Sequence, residues 1–449
     1  MACIRLWWRK FFCRWNRDRE FFAWAEASRW LPAGRLGQAW FRKHDGCRRA
    51  TGMDAGSERL LFGATGGLAV VGKAVLISLL AVGGASMGAG ADDGGWRLDA
   101  NMAVPEVTEE GIAWYDPGQA PFRIGGFPWY AQDKVFRRLP VSPSHPLPSA
   151  VDKLADCTAG GTVAFRSTSS RVLVKVVLTS KSDGMFHMAP TGKSGFDLYV
   201  GAPGMQKTAG VTMMGEGVTE YQAQLFSGGQ DWNEFTLNFP LYNGVKSLRI
   251  GLAEGAKVAP PSPYAGPGKV IIYGGSTVQG ACASRPGRYH MSIVGRRLNR
   301  EVVNLGFSGN GKLEPELAEV MAQIAAPAIL IVEGERNARY EGVVERLEAF
   351  LRILRRRHPG VPMVVMSANR RGSEWRVPGD RPRILAFQQD LVARLRAQDP
   401  DLHLFDSTSL LGDDFYECSV DGSHPTDLGF QRMADGLTPF LAKLLKSGT

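Results

Sequence analysis

At Ala259-Pro-Pro-Ser-Pro-Tyr-Ala-Gly-Pro-Gly268 the chain changes its hydrophobic period, and that change sets the architecture. Four prolines and two glycines in ten residues sustain neither helix nor strand, so the segment reads as a linker at a domain boundary. Before it, apolar residues alternate in short runs parted by Gly, Pro, Asp and Ser. The runs are Thr162–Ser167, Arg171–Thr179, Phe196–Val200, Thr219–Leu225, Trp232–Phe239 and Ser247–Leu252. Short strands at regular spacing with turn signals between them predict an antiparallel β-sandwich over 92–258. After the linker, apolar runs at Lys269–Tyr273, Glu301–Leu305, Ala328–Val332, Pro362–Ser367 and Leu402–Phe405 alternate with helical patterns such as Val343, Leu347, Phe350, Leu351 and Leu354. That alternation predicts an α/β domain over 269–449 with a parallel sheet covered on both faces. Ligands of such sheets bind at the carboxyl ends of the strands.

Charge narrows the function classes. The chain of 449 residues has a formal charge of +9, but residues 1–50 hold 12 of its 53 basic and only 4 of its 44 acidic side chains. The remainder is near neutral, which argues against a nucleic-acid-binding surface on the folded body. The head also carries six of the eleven tryptophans without helical or strand period. From Met53 a mildly charged opening, the apolar run Ala74–Val82 and the small residues ending at Ala91 have the layout of a secretory signal peptide. Read so, 1–52 is an over-extended or unstructured segment, 53–91 is the signal peptide, and the body is exported with no stable membrane insertion after cleavage. A basic amphipathic anchor at the head and an uncleaved span at 74–91 are the rival readings. The body contains only Cys157, Cys282 and Cys418, too few and too scattered for a zinc site or a disulfide scaffold.

The strand ends carry the chemistry. Tyr273-Gly-Gly-Ser276 places a serine on a tight turn between a buried strand and a helix, which suits a nucleophile and equally an N-cap. Asp421-Gly-Ser-His424 sets a carboxylate where it reaches Nδ1 of the histidine, freeing Nε2 to take a proton from a serine. The second and third strands end in Asn304-Leu-Gly-Phe-Ser-Gly309-Asn310 and Glu333-Gly-Glu-Arg-Asn337, which offer a glycine N–H and asparagine amides to an oxyanion. Gly306 to Lys312 has the spacing of a phosphate loop, but Leu313 stands where a magnesium-holding Ser or Thr is needed. His290 and Cys282 read as packing residues, and Arg285 is open to a contact with an anionic or hydroxylated substrate or to a structural pairing with a carboxylate.

At these residues the sequence resembles the SGNH (GDSL-like) hydrolases, in the two-domain branch whose N-terminal β domain bears a Gly-x-Asp-Leu-Tyr signature, here Gly195-Phe-Asp-Leu-Tyr199. The resemblance runs in order through Gly274–Gly287, Asn304–Gly311 and Asp421–Phe430. It implies a flavodoxin-like three-layer hydrolase domain behind a jelly-roll-like sandwich. It also implies Ser276 as nucleophile, His424 as base and Asp421 as its orienting carboxylate. Gly309 and Asn337 would join the Ser276 N–H in the oxyanion hole, with Asn310 as the fallback. Two positions depart from the family pattern: Gly275 stands where Asp or Ser is usual, and Glu333-Gly-Glu-Arg-Asn337 where Asp-x-x-Pro-Asn is usual. The implied activity is an exported serine esterase without metal or cofactor, acting on O-acyl, foremost acetyl, esters of a small molecule or glycan. A lipase or thioesterase for longer acyl chains and a non-catalytic glycan-binding protein are the alternatives. The acyl length, the leaving alcohol and the oligomeric state stay open.

Overall fold

The computed structural model describes residues 103–447, so the readings of 1–52 and 53–91 lie outside the described residues. The first half holds the strands β1 (Ile112–Tyr115), β2 (Arg123–Gly125), β3 (Thr162–Ser167), β4 (Arg171–Leu178) and β5 (Asp197–Val200). They are followed by β6 (Lys207–Val211), β7 (Glu220–Ser227), β8 (Asn233–Asn238), β9 (Val245–Ala253) and β10 (Val258–Ala259). One sheet has the order β1-β9-β4-β7, the other β10-β3-β8-β5-β6 with β2 against β3, and every pairing in both is antiparallel. Alternate residues turn inward, as a strand requires. Val172, Val174 and Val176 of β4 meet Phe165, Leu198, Phe235 and Leu237 of the facing sheet in one core. β1, β2, β6 and β10 were not among the runs read from sequence. They span two to five residues and show too few alternations to stand out.

The second half holds β11 (Lys269–Gly274), β12 (Val302–Gly306), β13 (Pro327–Val332), β14 (Met363–Met366) and β15 (Leu402–Phe405), all parallel in the order β12-β11-β13-β14-β15. The helices are α1 (Ser276–Gln279), α2 (His290–Leu298), α3 (Pro315–Met321), α4 (Glu335–Arg357), α5 (Arg381–Arg396) and α6 (Asp427–Ser447). Ile271, Tyr273, Leu330 and Val365 pack on one face with α3, α4 and α5. Val270, Ile272, Ile331 and Val364 pack on the other with α2 and α6. These three layers with strand order 2-1-3-4-5 are the doubly wound arrangement expected, and they put the switch point at the end of β11.

The proline-rich segment is strapped to both halves. Ser262 bonds Glu234 of β8 through its N–H at 2.9 Å and its hydroxyl at 2.7 Å, and the Ala265 N–H reaches the Asn299 carbonyl at 2.9 Å. Arg123 lies over the Tyr264 ring at 4.0 Å. The sandwich and the α/β layers fall within one compact unit. No described helix is long and apolar enough to cross a membrane.

Candidate active site

Three neighbouring strand ends converge. β11 runs into Gly274, Gly275 and Ser276, the last being the first residue of α1. Its N–H therefore has no partner within the helix. Beneath this turn, Gln279 accepts the Ser308 N–H at 2.9 Å, and Asn304 accepts the Gly306 N–H while donating to the Val278 carbonyl, both at 2.8 Å. Arg138, fully buried, donates to the carbonyls of Cys157, Gly306 and Leu154 and lies 4.6 Å from the Phe307 ring. Burial lowers its pKa to about 10, which still leaves it charged at neutral pH. These buried bonds fix the ends of β11 and β12 against each other.

Ser276 Oγ lies 2.9 Å from His424 Nε2, and His424 Nδ1 lies 2.7 Å from Asp421 Oδ2. The other Asp421 oxygen accepts the backbone N–H groups of Ser423 at 2.9 Å and His424 at 2.8 Å. Burial alone would raise this carboxyl; the donors from His424 and Ser423 outweigh it and bring it down to about 2. Asp421 is thus an anion throughout the working pH range. With Nδ1–H donated to it, Nε2 is the acceptor facing the serine hydroxyl.

Hydrogen-bond donors without a partner among the described residues surround the same turn. Gly309 sits at φ +69 with open space where a side chain would project, and its N–H has no partner among the described residues. Asn337 in the first turn of α4 donates one amide hydrogen to the Asn310 carbonyl, which leaves its second for a ligand. A Cβ at position 275 would lie 2.5 Å from that amide nitrogen, so glycine there makes room for Asn337. Asn310 donates one hydrogen of its own amide to the Ser308 carbonyl at 2.9 Å.

Of the two roles open to Arg285, the structure realises the ion pair. Its guanidinium bonds Asp197 at 2.6 Å, the Tyr199 hydroxyl at 2.8 Å and the Thr208 hydroxyl at 3.0 Å. Asp197 is wholly buried and also accepts from the Gly287 N–H and the Asn238 amide, both at 2.8 Å. The Asp and Tyr of the Gly-x-Asp-Leu-Tyr signature therefore clamp the sandwich to the segment that follows Ser276. His290 is buried against Phe430, and burial lowers its pKa to about 3.

Sequence reasoning missed His187. A tight turn closed by paired backbone bonds between Met185 and Met188 carries Phe186 and His187 to the site. There the His187 ring stands edge-on to His424 at 5.2 Å, while Phe186 is 92% exposed. A lone histidine on a turn of another domain carries no signal in sequence. His187, Cys282 and His424 offer ligand atoms within 4.8 Å of one another, a nitrogen and sulfur set of the kind zinc accepts. His424 Nε2 is, however, engaged by Ser276 Oγ at 2.9 Å, which takes one of the three ligand atoms.

Residues 268–442 match the GDSL-like lipase/acylhydrolase family, and residues 112–258 match the N-terminal domain of SGNH-hydrolase-type esterases. Among solved structures the chain is similar to a Bacteroides ovatus protein classed as a GDSL-like lipase, with 29% identity, a TM-score of 0.67, and coverage of 75% of this chain and 98% of that one. It is also similar to the salicylyl-acyltransferase SsfX3 of a tetracycline biosynthetic pathway, with 17% identity, a TM-score of 0.58 and coverage of 75% and 98%. A family two carbohydrate esterase from Clostridium thermocellum shares 12% identity at a TM-score of 0.50, over 72% and 98%. The last two show the fold alone. No curated protein matches the chain.

Proposed function

The chain belongs to the GDSL-like lipase/acylhydrolase family and is a carboxylic ester hydrolase, and from that premise we propose that Ser276, His424 and Asp421 are its hydrolytic triad. The observation that carries the proposal is the unbroken hydrogen-bond chain from Asp421 through His424 to Ser276. In the first step Ser276 Oγ attacks the acyl carbon as His424 Nε2 takes its proton. The N–H groups of Ser276 and Gly309 and the free amide hydrogen of Asn337 stabilise the oxyanion. Collapse expels the alcohol, protonated by His424. A water then attacks the acyl-enzyme, gives its proton to His424, and the carboxylic acid departs as Ser276 recovers its hydrogen.

We further propose that the substrate is a short-chain O-acyl ester, acetyl first, on a carbohydrate, and that the enzyme is exported. The signal-peptide layout of residues 53–91 supports export. The sandwich domain supports a glycan alcohol, and so does the carbohydrate esterase that shares the fold. A longer acyl chain is the second reading, favoured by the exposed Phe186, which stacks on the His187 ring next to His424. Hydrolysis of nitrophenyl esters from acetate to octanoate tests both. Turnover fastest on acetate, fading by butyrate and absent in Ser276→Ala, is expected. Rates that climb with chain length would replace the acetyl reading with the lipase one.

A further inference from the structure

A polar cavity of about 750 Å³ opens directly beside the oxyanion donors, and Gly309 and Asn337 belong to its wall as well as to the reaction site. Its far side is the segment 369–381, which also touches the loop bearing the triad carboxylate through the Ser373 N–H and the Gly422 carbonyl. The cavity is therefore continuous with the place where an ester must lie.

Its charge is unbalanced in a specific way. Every acidic group on the wall already has a partner. Glu335 accepts the Ala368 N–H at 2.8 Å, Glu374 pairs with Arg381 at 3.0 Å, and Asp380 pairs with Arg383 at 3.3 Å. Among the basic groups, Arg336 is bonded to Asn369 and Arg381 to Glu374. Lys312 and Arg339 have no side-chain partner among the described residues, and Arg371 makes no side-chain hydrogen bond, its charge facing the buried Glu333; all three line the cavity. Arg339 is held at φ +58, a break in the regular turn of α4 that ordinary helix geometry would not produce. Two unpartnered cations, with Arg371 beside them free of any side-chain hydrogen bond, form a receptor for an anion around one polar cavity, and guanidinium groups pair with carboxylates through two parallel hydrogen bonds.

We infer that the ester substrate carries a carboxylate, received by Lys312, Arg339 and Arg371 in this cavity while the ester lies at Ser276. The inference rests on the reading of Ser276 as the nucleophile. The carboxylate belongs either to the alcohol, as in an acetylated uronic acid, or to the acyl group, as in a half-ester of a dicarboxylic acid.

Two matched pairs separate these sources: O-acetylated methyl glucuronide against O-acetylated methyl glucoside, and monophenyl succinate against phenyl butyrate. With the full chain, kcat/KM is expected to favour the carboxylate member of one pair by about tenfold or more, and the preference should shrink as salt is raised. Arg371→Ala and Lys312→Ala should each cut that preference, and Arg371→Glu should reverse it. Any variant that still hydrolyses the neutral ester is folded, so the ratio is readable in each. If neutral esters are cleaved and neither pair shows a preference, the inference is overturned and the esterase reading stands. A preference that survives all three substitutions also overturns it, since the carboxylate is then bound elsewhere. Hydrolysis that continues undiminished in Ser276→Ala removes the nucleophile assignment, and this inference with it.

Discussion

The turn that carries Ser276 and the loop that carries Asp421 and His424 meet at one hydrogen bond, yet they are held in opposite ways. The turn is fixed from below: Arg138, Asn304 and Gln279 are buried and tie the ends of two strands together under it. The loop stands at the surface, with the side chains of His424 and Asp421 22% and 23% exposed. It is fixed by its own short-range bonds, in which one carboxylate accepts two backbone N–H groups and an imidazole. Ser276, the proposed nucleophile, is thus placed by long-range packing, and His424, the proposed base, by local hydrogen bonding to a charge. A third region, the sandwich, secures the segment after Ser276 through Asp197 and adds His187 beside His424.

Removing the reacting groups themselves tests the junction of the two regions. Ser276→Ala and His424→Ala should each lower kcat by about 10⁶-fold, and Asp421→Asn by about 10⁴-fold, with unchanged far-UV circular dichroism. Near-normal activity in Asp421→Asn would mean that the loop is held by something other than that carboxylate. On the packed side, Gly275→Ala drives a Cβ against the Asn337 amide and should cost about 10²-fold in kcat by displacing one oxyanion donor. A normal rate would take Asn337 out of the oxyanion hole.

The clamp is tested through stability. Asp197→Ala leaves Arg285 largely buried without its anion and should destabilise the fold by about 3–5 kcal/mol, read as a lower denaturation midpoint. An unchanged midpoint would show that the sandwich is held to the hydrolase by other contacts. The smallest effect concerns Glu333, whose carboxyl burial raises to about 7 despite the opposing Arg336. The folded state keeps that proton after the unfolded chain has released its own. The stability it confers is therefore complete below about pH 4.5 and is lost as pH rises toward 7. Glu333→Gln should reduce the slope of stability across that window, with Glu335, which burial also raises to about 7, carrying the remainder. An unaltered slope would place the ionisation elsewhere.

Much of this was legible in the sequence because it is local. The change of period at Ala259–Gly268 marked two kinds of layer, and Asp-x-x-His is an interaction within one turn of chain. The nucleophile turn was legible only as glycines, since what fixes it comes from residues 28 to 138 positions away, such as Asn304 and Arg138. Arg285 could be read either way until Asp197, 88 residues earlier, was placed against it. His187 was invisible because its role depends wholly on where the sandwich docks. The cavity charge was equally hidden: arginines are frequent in this chain, and only pairing distinguishes a spent one from a free one.

The central assignment is tested most directly by covalent capture. An organophosphorus fluoridate transfers its phosphoryl group to an activated serine oxygen with loss of fluoride, and the modified residue can be located by peptide mass spectrometry. A single modification on Ser276, in step with loss of activity and absent from Ser276→Ala and His424→Ala, is the predicted result. Complete loss of activity with Ser276 unmodified would contradict it.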